Sequence, residues 1–278
     1  MAVRIVRRCS RRSGPDARTA AGTGLRQNAR MPSDPTVEDL YPEVAAAGSL
    51  AAALDAVAAR HGLSLGTVRA LDGSSPLTSA SVPSDSSARD DLTVSASTGE
   101  RCFKFEGWGQ GILLIVGDTD DLVGVVRTAH DWRAGTPLHD IRRSVPFVAL
   151  TRRGEVVEQG PAAVVAAEWR WLRQRTEEAD WPNHTALIEA AYNEPRLRQL
   201  YPYTSHSVLN FSTTTGYPFS PSPVSLSAHG SPSNFRVWGR NEVIGETATA
   251  TEAVALAVAH LPAGLGPAVA GRYEGQRR

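Results

Sequence analysis

The sequence predicts an α+β fold of two similar helix, antiparallel sheet, helix units joined by a helical connector, on three observations. Period-two alternation at Leu92, Val94 and Ala96, and again at Phe103 and Phe105, marks half-buried strands. Apolar residues at helical spacing behind capping residues flank those strands. A Trp-Gly pair occurs at 108–109 and again at 238–239, each followed by a strand, a cap and a helix, with offsets of 130 residues at the pair and 131 at the caps Asp118 and Thr249. The competing explanation is that both halves obey ordinary α+β grammar without being copies.

The elements follow in order. Residues 1–36 form an Arg-rich extension outside the fold, and a first unit spans 37–135. Residues 37–61 read as helical, with Leu50, Leu54 and Val57 on one face behind a Ser49 cap and Gly62 as the stop. Asp72 to Asp91, rich in Ser, Pro, Gly and Asp, reads as a long loop or weak edge hairpin. The alternating stretches and the apolar run Ile112–Val116 give three strands of an antiparallel meander. Asp118 or Thr119 then caps a helix from about Asp120 to Trp132.

A mostly helical connector spans 136–182. Pro161 suits a first helical position, and Val164, Val165, Trp169 and Leu172 recur at helical spacing behind it. Thr151–Gln159 fits a hairpin or a short helix equally. The second unit, 183–263, carries helices over Thr185–Tyr192 and Pro195–Leu200. Strands follow near His206–Ser212, Val224–Ala228, Phe235–Trp238 and Val243–Glu246. Thr249 and Glu252 form a capping box for a last helix that buries Val254, Ala257, Val258 and Leu261. Residues 264–278 read as a loose tail.

Charge and composition narrow the function classes. The formal net charge is zero, but residues 1–30 hold eight basic residues and one acidic residue, leaving the remainder 21 basic against 28 acidic. The Arg-rich start admits three readings: a disordered tail with Met31 as the true beginning, an arm for nucleic acid or a membrane surface, or a targeting segment. No apolar run approaches the ~20 residues that span a bilayer, so no membrane partner is expected. Past Met31 no basic patch interleaves with aromatics, so no nucleic-acid partner is expected either. Cys9 and Cys102 make no disulfide framework, and a reducing, cytoplasmic compartment is expected. The Asn183 and Asn210 sequons carry no weight there.

No complete catalytic motif is present. Gly62-Leu63-Ser64-Leu65-Gly66 has the letters of a nucleophile elbow, but a helix precedes it where a strand is required. Gly107-Trp108-Gly109-Gln110-Gly111 lacks the helix that a phosphate cradle needs and suits a hairpin turn. Asp118, Asp120 and Asp121 lack the Gly and distal Glu of a calcium loop. The histidines at 61, 130, 139, 184, 206, 229 and 260 include no metal-binding spacing. No metal and no cofactor is expected.

One segment carries a chemistry-capable inventory. Tyr201, Tyr203, Ser205, His206, Asn210, Thr214, Tyr217 and Ser220 combine donors, acceptors and one group that titrates near neutral pH, and they are the ligand-binding candidates. On a strand from 206, His206, Val208 and Asn210 share one face, and Ser207, Leu209 and Phe211 the other. The bland alternative is that Tyr and Phe plug the core while Ser and Thr cap turns.

The run Asn193-Glu194-Pro195-Arg196-Leu197-Arg198-Gln199-Leu200-Tyr201-Pro202-Tyr203-Thr204-Ser205-His206, with Phe211–Thr214, Tyr217-Pro218-Phe219, Gly245-Glu246 and Glu252–Val258, resembles a bacterial family of unknown function whose members are labelled natural product biosynthesis proteins. The resemblance runs from about Tyr41 to Pro262 and is strongest in the last third. It implies a setting in secondary metabolism and supplies no catalytic residues. Ser207 stands where relatives are expected to carry an aromatic residue. The expectation is therefore a non-catalytic accessory or ligand-binding protein, with a biosynthetic protein or a small molecule as partner. Two alternatives are a small-molecule enzyme with His206 as acid or base beside Tyr203 and Ser205, and an immunity-type inhibitor of a toxin.

Overall fold

The computed structural model describes residues 35–229, 234–240 and 242–275. The readings of the Arg-rich start, including Met31, lie outside the described residues. The chain divides into two compact units, one of residues up to Gly107 with Ile115–Ala149, the other of Trp108–Leu114 with Leu150–Arg278.

In chain order come α1 (Val37–Leu40), α2 (Pro42–Ala47), α3 (Leu50–Arg60), β1 (Ser79–Val82), β2 (Leu92–Ala96), β3 (Phe103–Gly109), β4 (Ile112–Thr119), α4 (Leu122–Arg133), α5 (Leu138–Ser144) and β5 (Val148–Leu150), all in the first unit except Leu150 and the β3–β4 hairpin tip, Trp108–Leu114, which belong to the second. The five strands lie in the order β1-β2-β3-β4-β5, with β1, β2 and β3 paired antiparallel. The single helix expected over 37–61 is broken twice. Tyr41, held out of the helical region ahead of Pro42, ends α1, and Gly48 at φ +79 ends α2. Ser49 then restarts the chain as α3, its hydroxyl accepting the Ala52 N–H at 3.0 Å. Leu50, Leu54 and Val57 are buried as expected.

Strand β4 runs through Asp118 and Thr119, so the expected cap moves to Asp121. Its carboxylate accepts the Val123 N–H at 2.9 Å. In the β3–β4 turn Gln110 and Gly111 have φ of +53 and +76, the two-residue pattern whose twist matches that of the strands. Gly107 serves a different purpose from the turn: a Cβ there would lie 2.7 Å from both Ile115 and Trp132. Burial alone would raise the Glu43 carboxyl, but hydrogen bonds from Arg101 and a backbone N–H, with the Arg101 charge, bring it below its usual value. A lowered folded pKa stabilises above the unfolded value and loses that stability as pH falls through the folded value. Glu43→Gln is therefore expected to flatten the stability profile below about pH 4.5, by less than ~1 kcal/mol because the pair is a third exposed. Urea midpoints from pH 3 to 7 would check this; parallel profiles would contradict it.

The second unit holds α6 (Pro161–Glu178), α7 (Pro182–Asn193), α8 (Pro195–Arg198), β6 (Tyr201–Ser205), β7 (Val208–Ser212), β8 (Thr214–Gly216), β9 (Ser225–His229), β10 (Asn234–Trp238), β11 (Val243–Thr247), α9 (Ala250–Ala259) and β12 (Val269–Arg272). Its main sheet has the order β11-β10-β9-β7-β6, all neighbours antiparallel. Leu209, Phe211, Leu226, Phe235 and Val237 point to one face and are buried, with α7 and α9 packed on β9 and β10. The Thr249–Glu252 capping box forms as read, with both reciprocal hydrogen bonds. Thr151–Gln159 resolves into turns closing in a 3₁₀ segment, Val157–Gln159.

Two expectations are corrected here. The strand expected from His206 begins at Val208, because His206 and Ser207, at φ +49 and +64, make the turn from β6. The expected loose tail contains β12, which pairs in parallel with β8 through Val269↔Thr214 and Arg272↔Gly216. Both sheets run in chain order, and a Trp-Gly pair stands at the end of β3 and of β10. Sequentially ordered meanders follow from short connections alone, so this shared order does not establish a duplication. Among the described residues no helix is long and apolar enough to cross a membrane.

Candidate ligand site

The eight candidates from the sequence separate into four places in the second unit. Tyr201 and Tyr203 stack on Phe219 with centroids 5.2 and 4.6 Å apart, and Tyr217, 69% exposed, meets the Phe219 ring edge-on at 5.9 Å. Thr214 and Ser220 belong to a buried hydroxyl knot. Ser212 Oγ accepts the backbone N–H groups of Thr214 and Ser220 at 3.0 and 3.1 Å, while Ser220 Oγ accepts that of Thr213 at 2.8 Å. These hydroxyls hold the turns around β8, which is the bland reading for this pair. Ser205 and His206 sit at the exposed β6–β7 turn with the hydroxyl 3.2 Å from Nδ1.

His206 and Ser220 line different pockets. His206 faces a 210 Å³ recess with Trp181, His184, Thr204 and Ser207, where His184 Nε2 donates to the Ser207 carbonyl at 3.1 Å. Ser220 lines a recess of 390 Å³ with Thr213, Arg240, His260 and Tyr273. Asn210 lines neither recess. It pairs with Tyr203 across the strands, and its side-chain carbonyl accepts the Ser225 hydroxyl at 2.7 Å.

Asn210 opens onto a polar sheet face that the sequence reading did not single out. Residues paired in register share a face, so Tyr203, Asn210, Ser225, Ser227, Arg236 and Trp238 all lie opposite the helices. Ser227 hydroxyl lies 2.7 Å from His229 Nε2 and accepts the Trp238 indole N–H at 3.3 Å. Arg236 donates to Glu246 at 2.6 Å. The sequence signal for this face is the alternation Ser225-x-Ser227-x-His229 and Asn234-x-Arg236-x-Trp238, in which polar residues interleave with the apolar ones of the two strands.

The largest of these recesses is elsewhere again. Pro161, Ala162, Val165, Ala166 and Trp169 form an i, i+4 stripe along α6, and with Tyr192, Pro195, Arg198, Gln199, Pro267 and Ala268 they line an open recess of 480 Å³. Small side chains at Ala162 and Ala166 leave the space, and β12 pairing brings Pro267 and Ala268 over it. The floor is fixed: buried Trp169 donates its indole N–H to the carbonyls of Arg198 and Leu200 at 3.0 and 3.3 Å, and its ring meets Tyr192 at 5.8 Å. Arg173 lies over the Tyr192 ring at 4.3 Å while gripping Glu189 through two nitrogens at 2.6 and 2.8 Å. Arg198 lies over the same ring at 5.7 Å.

Residues 163–272 match the model of a family of unknown function, DUF6193. No curated protein and no solved structure matches the chain. The matched span starts inside α6 and ends with β12, so it contains most of the cavity wall and every candidate from the sequence. It begins later and ends later than the Tyr41–Pro262 span of the resemblance, and its end takes in the segment that had been read as a tail.

The matched span also contains one buried carboxylate. Glu168, 4% exposed, takes hydrogen bonds from Arg152 at 3.0 and 3.1 Å and from Arg153 at 3.2 and 3.3 Å. Burial, and then the Glu168 charge, push the Tyr201 phenol well above its ordinary value. Its hydroxyl makes no hydrogen bond of standard geometry and stays protonated at every physiological pH. Tyr201 is thus a packed structural side chain beneath the stack. Each hydrogen-bonded group in this cluster is held by its neighbours, which suits support better than proton transfer.

Proposed function

We propose that this protein is a non-catalytic, ligand-binding accessory protein of natural product biosynthesis and that the α6–α8 cavity of the second unit is its binding site. The observation that carries the reading is the cavity itself: 480 Å³ of mostly apolar lining with a few polar groups at its edge. Pockets for small molecules have that character and fall in the range of ~300–1,000 Å³. The resemblance of the Asn193–His206 run to proteins labelled for natural product biosynthesis supports the setting. The absence of a complete nucleophile, base and orienting group in the sequence supports binding over turnover.

The fluorophore 1-anilinonaphthalene-8-sulfonate tests this reading. Saturable, one-to-one enhancement is expected with the full chain, and Ala166→Trp, which fills the cavity from a solvent-exposed helix position, is expected to reduce affinity at least about tenfold. Ala162→Trp provides a second blocking variant if the first is poorly folded by circular dichroism. Equal affinity in well-folded blocked variants would place the dye elsewhere and remove the cavity from the reading.

A catalytic reading around His206 draws on the Ser205 contact and on the second imidazole, His184, in the same recess. It requires a turnover that His206→Ala removes while the fold stays intact; unchanged turnover in that variant ends it.

A further inference from the structure

The arginines around the cavity differ in what they hold. Arg173 is clamped to Glu189, and Arg196 donates to the carbonyls of Val258 and Pro262 at 3.1 and 3.2 Å. Arg152 and Arg153 share Glu168. Arg198 lines the cavity yet has neither a carboxylate nor a carbonyl acceptor for its guanidinium among the described residues, and its recorded contact is with the face of Tyr192. Its backbone is fixed on both sides, the N–H donating to Glu194 O at 2.8 Å and the carbonyl accepting from Trp169. A rigid backbone, a ring supporting the side chain and a planar fork of donors make a pre-organised anion anchor at the edge of an apolar recess. Gln199, whose amide nitrogen donates to Leu265 O at 3.3 Å, and the half-exposed Tyr192 supply the other polar atoms beside it.

We propose that the cavity takes a hydrophobic carboxylic acid, with the apolar body against Val165, Trp169 and Pro195 and the carboxylate paired with Arg198. This rests on the ligand-binding reading above and names the chemical class of ligand. An uncharged apolar molecule would fill the recess and leave the guanidinium unused. An inorganic anion would pair with the guanidinium and leave the apolar walls unused. An acid with an apolar body uses both, and a charge-assisted bidentate pair is the stronger kind of hydrogen bond at a rim position.

Isothermal titration of the full chain with 4-phenylbutyrate and with its neutral counterpart 4-phenylbutan-1-ol separates the two claims. The acid is expected to bind about 10-fold or more tightly than the alcohol, with a preference that shrinks as salt rises. Arg198→Gln, at an exposed position, is expected to abolish the preference, lowering the acid's affinity about tenfold or more, to that of the alcohol. Equal affinity for acid and alcohol in the parent, or a preference that survives Arg198→Gln, overturns the acid assignment and leaves the cavity as a neutral site. If neither compound binds, or if Ala166→Trp leaves both affinities unchanged, the cavity reading falls together with it.

Discussion

Replacing Trp169 with Ala is expected to lower the stability of the protein by about 3–5 kcal/mol, the usual loss for deleting a large buried aromatic side chain. The ring is fully buried between Tyr192, at 5.8 Å, and Phe211, at 6.2 Å. Its indole N–H also supplies two backbone carbonyls at the junction of α8 and β6, so deletion leaves those acceptors to find water as well as opening a void. Trp181 is the matched control, since it is 46% exposed and its recorded ring contact is with His184. Trp181→Ala should change stability by less than ~1 kcal/mol, as surface substitutions do. Urea unfolding followed by circular dichroism measures both; a loss under ~1 kcal/mol for Trp169→Ala would mean that the cavity floor is not the packed element described.

Gly216→Ala is expected to be comparably severe, at about 3 kcal/mol or more, for a reason of space and not of backbone angle. A Cβ at Gly216 falls onto the Gln110 carbonyl, and on its other side it would lie 3.0 Å from the Gly271 carbonyl. Both walls are backbone, so neither yields by a rotamer change. They belong to the hairpin tip and to β12, which hold β8 between them through Tyr217 N–H to Gly111 O at 2.9 Å and the β8–β12 pairing. Gly99→Ala, where nothing lies within 4 Å of the added carbon, should be close to neutral. Thermal melts of the two variants check the contrast, and a Gly216→Ala protein as stable as its parent would rule out this close approach.

The parts legible in the sequence were those whose signal is local. Alternation located β2 and β3, the apolar run located β4, and Thr249 with Glu252 placed the start of α9 because a capping box is complete within four residues. Strand β6 was missed because Pro202 argues against a strand interior, yet β6 is an edge strand, where a missing N–H is tolerated. Strands β8 and β12 are three and four residues long and exist through pairing with one another, 53 or more residues apart in the chain, which no local pattern records. The Tyr201–Ser220 segment stands out in composition, but its residues serve a stack, a hydroxyl knot and a turn, and the turn at His206 moves the start of the strand two residues on while its alternation stays as expected. The cavity was invisible for a different reason. Val165 and Trp169 recur at helical spacing, which marks a helix and nothing more, and the space beside them comes from what Ala162 and Ala166 lack and from Pro267 and Ala268, about a hundred residues later.

The most direct test of the ligand site is residue-resolved NMR of the isotope-labelled full chain titrated with 4-phenylbutyrate. Saturable shifts are expected at the Trp169 indole N–H and at the backbone amides of Val165, Ala166, Arg198, Gln199 and Ala268. Shifts gathered instead at His184 and His206, or at Asn210, Ser225 and Ser227 on the open sheet face, would contradict the cavity as the binding site, as would the absence of any saturable shift.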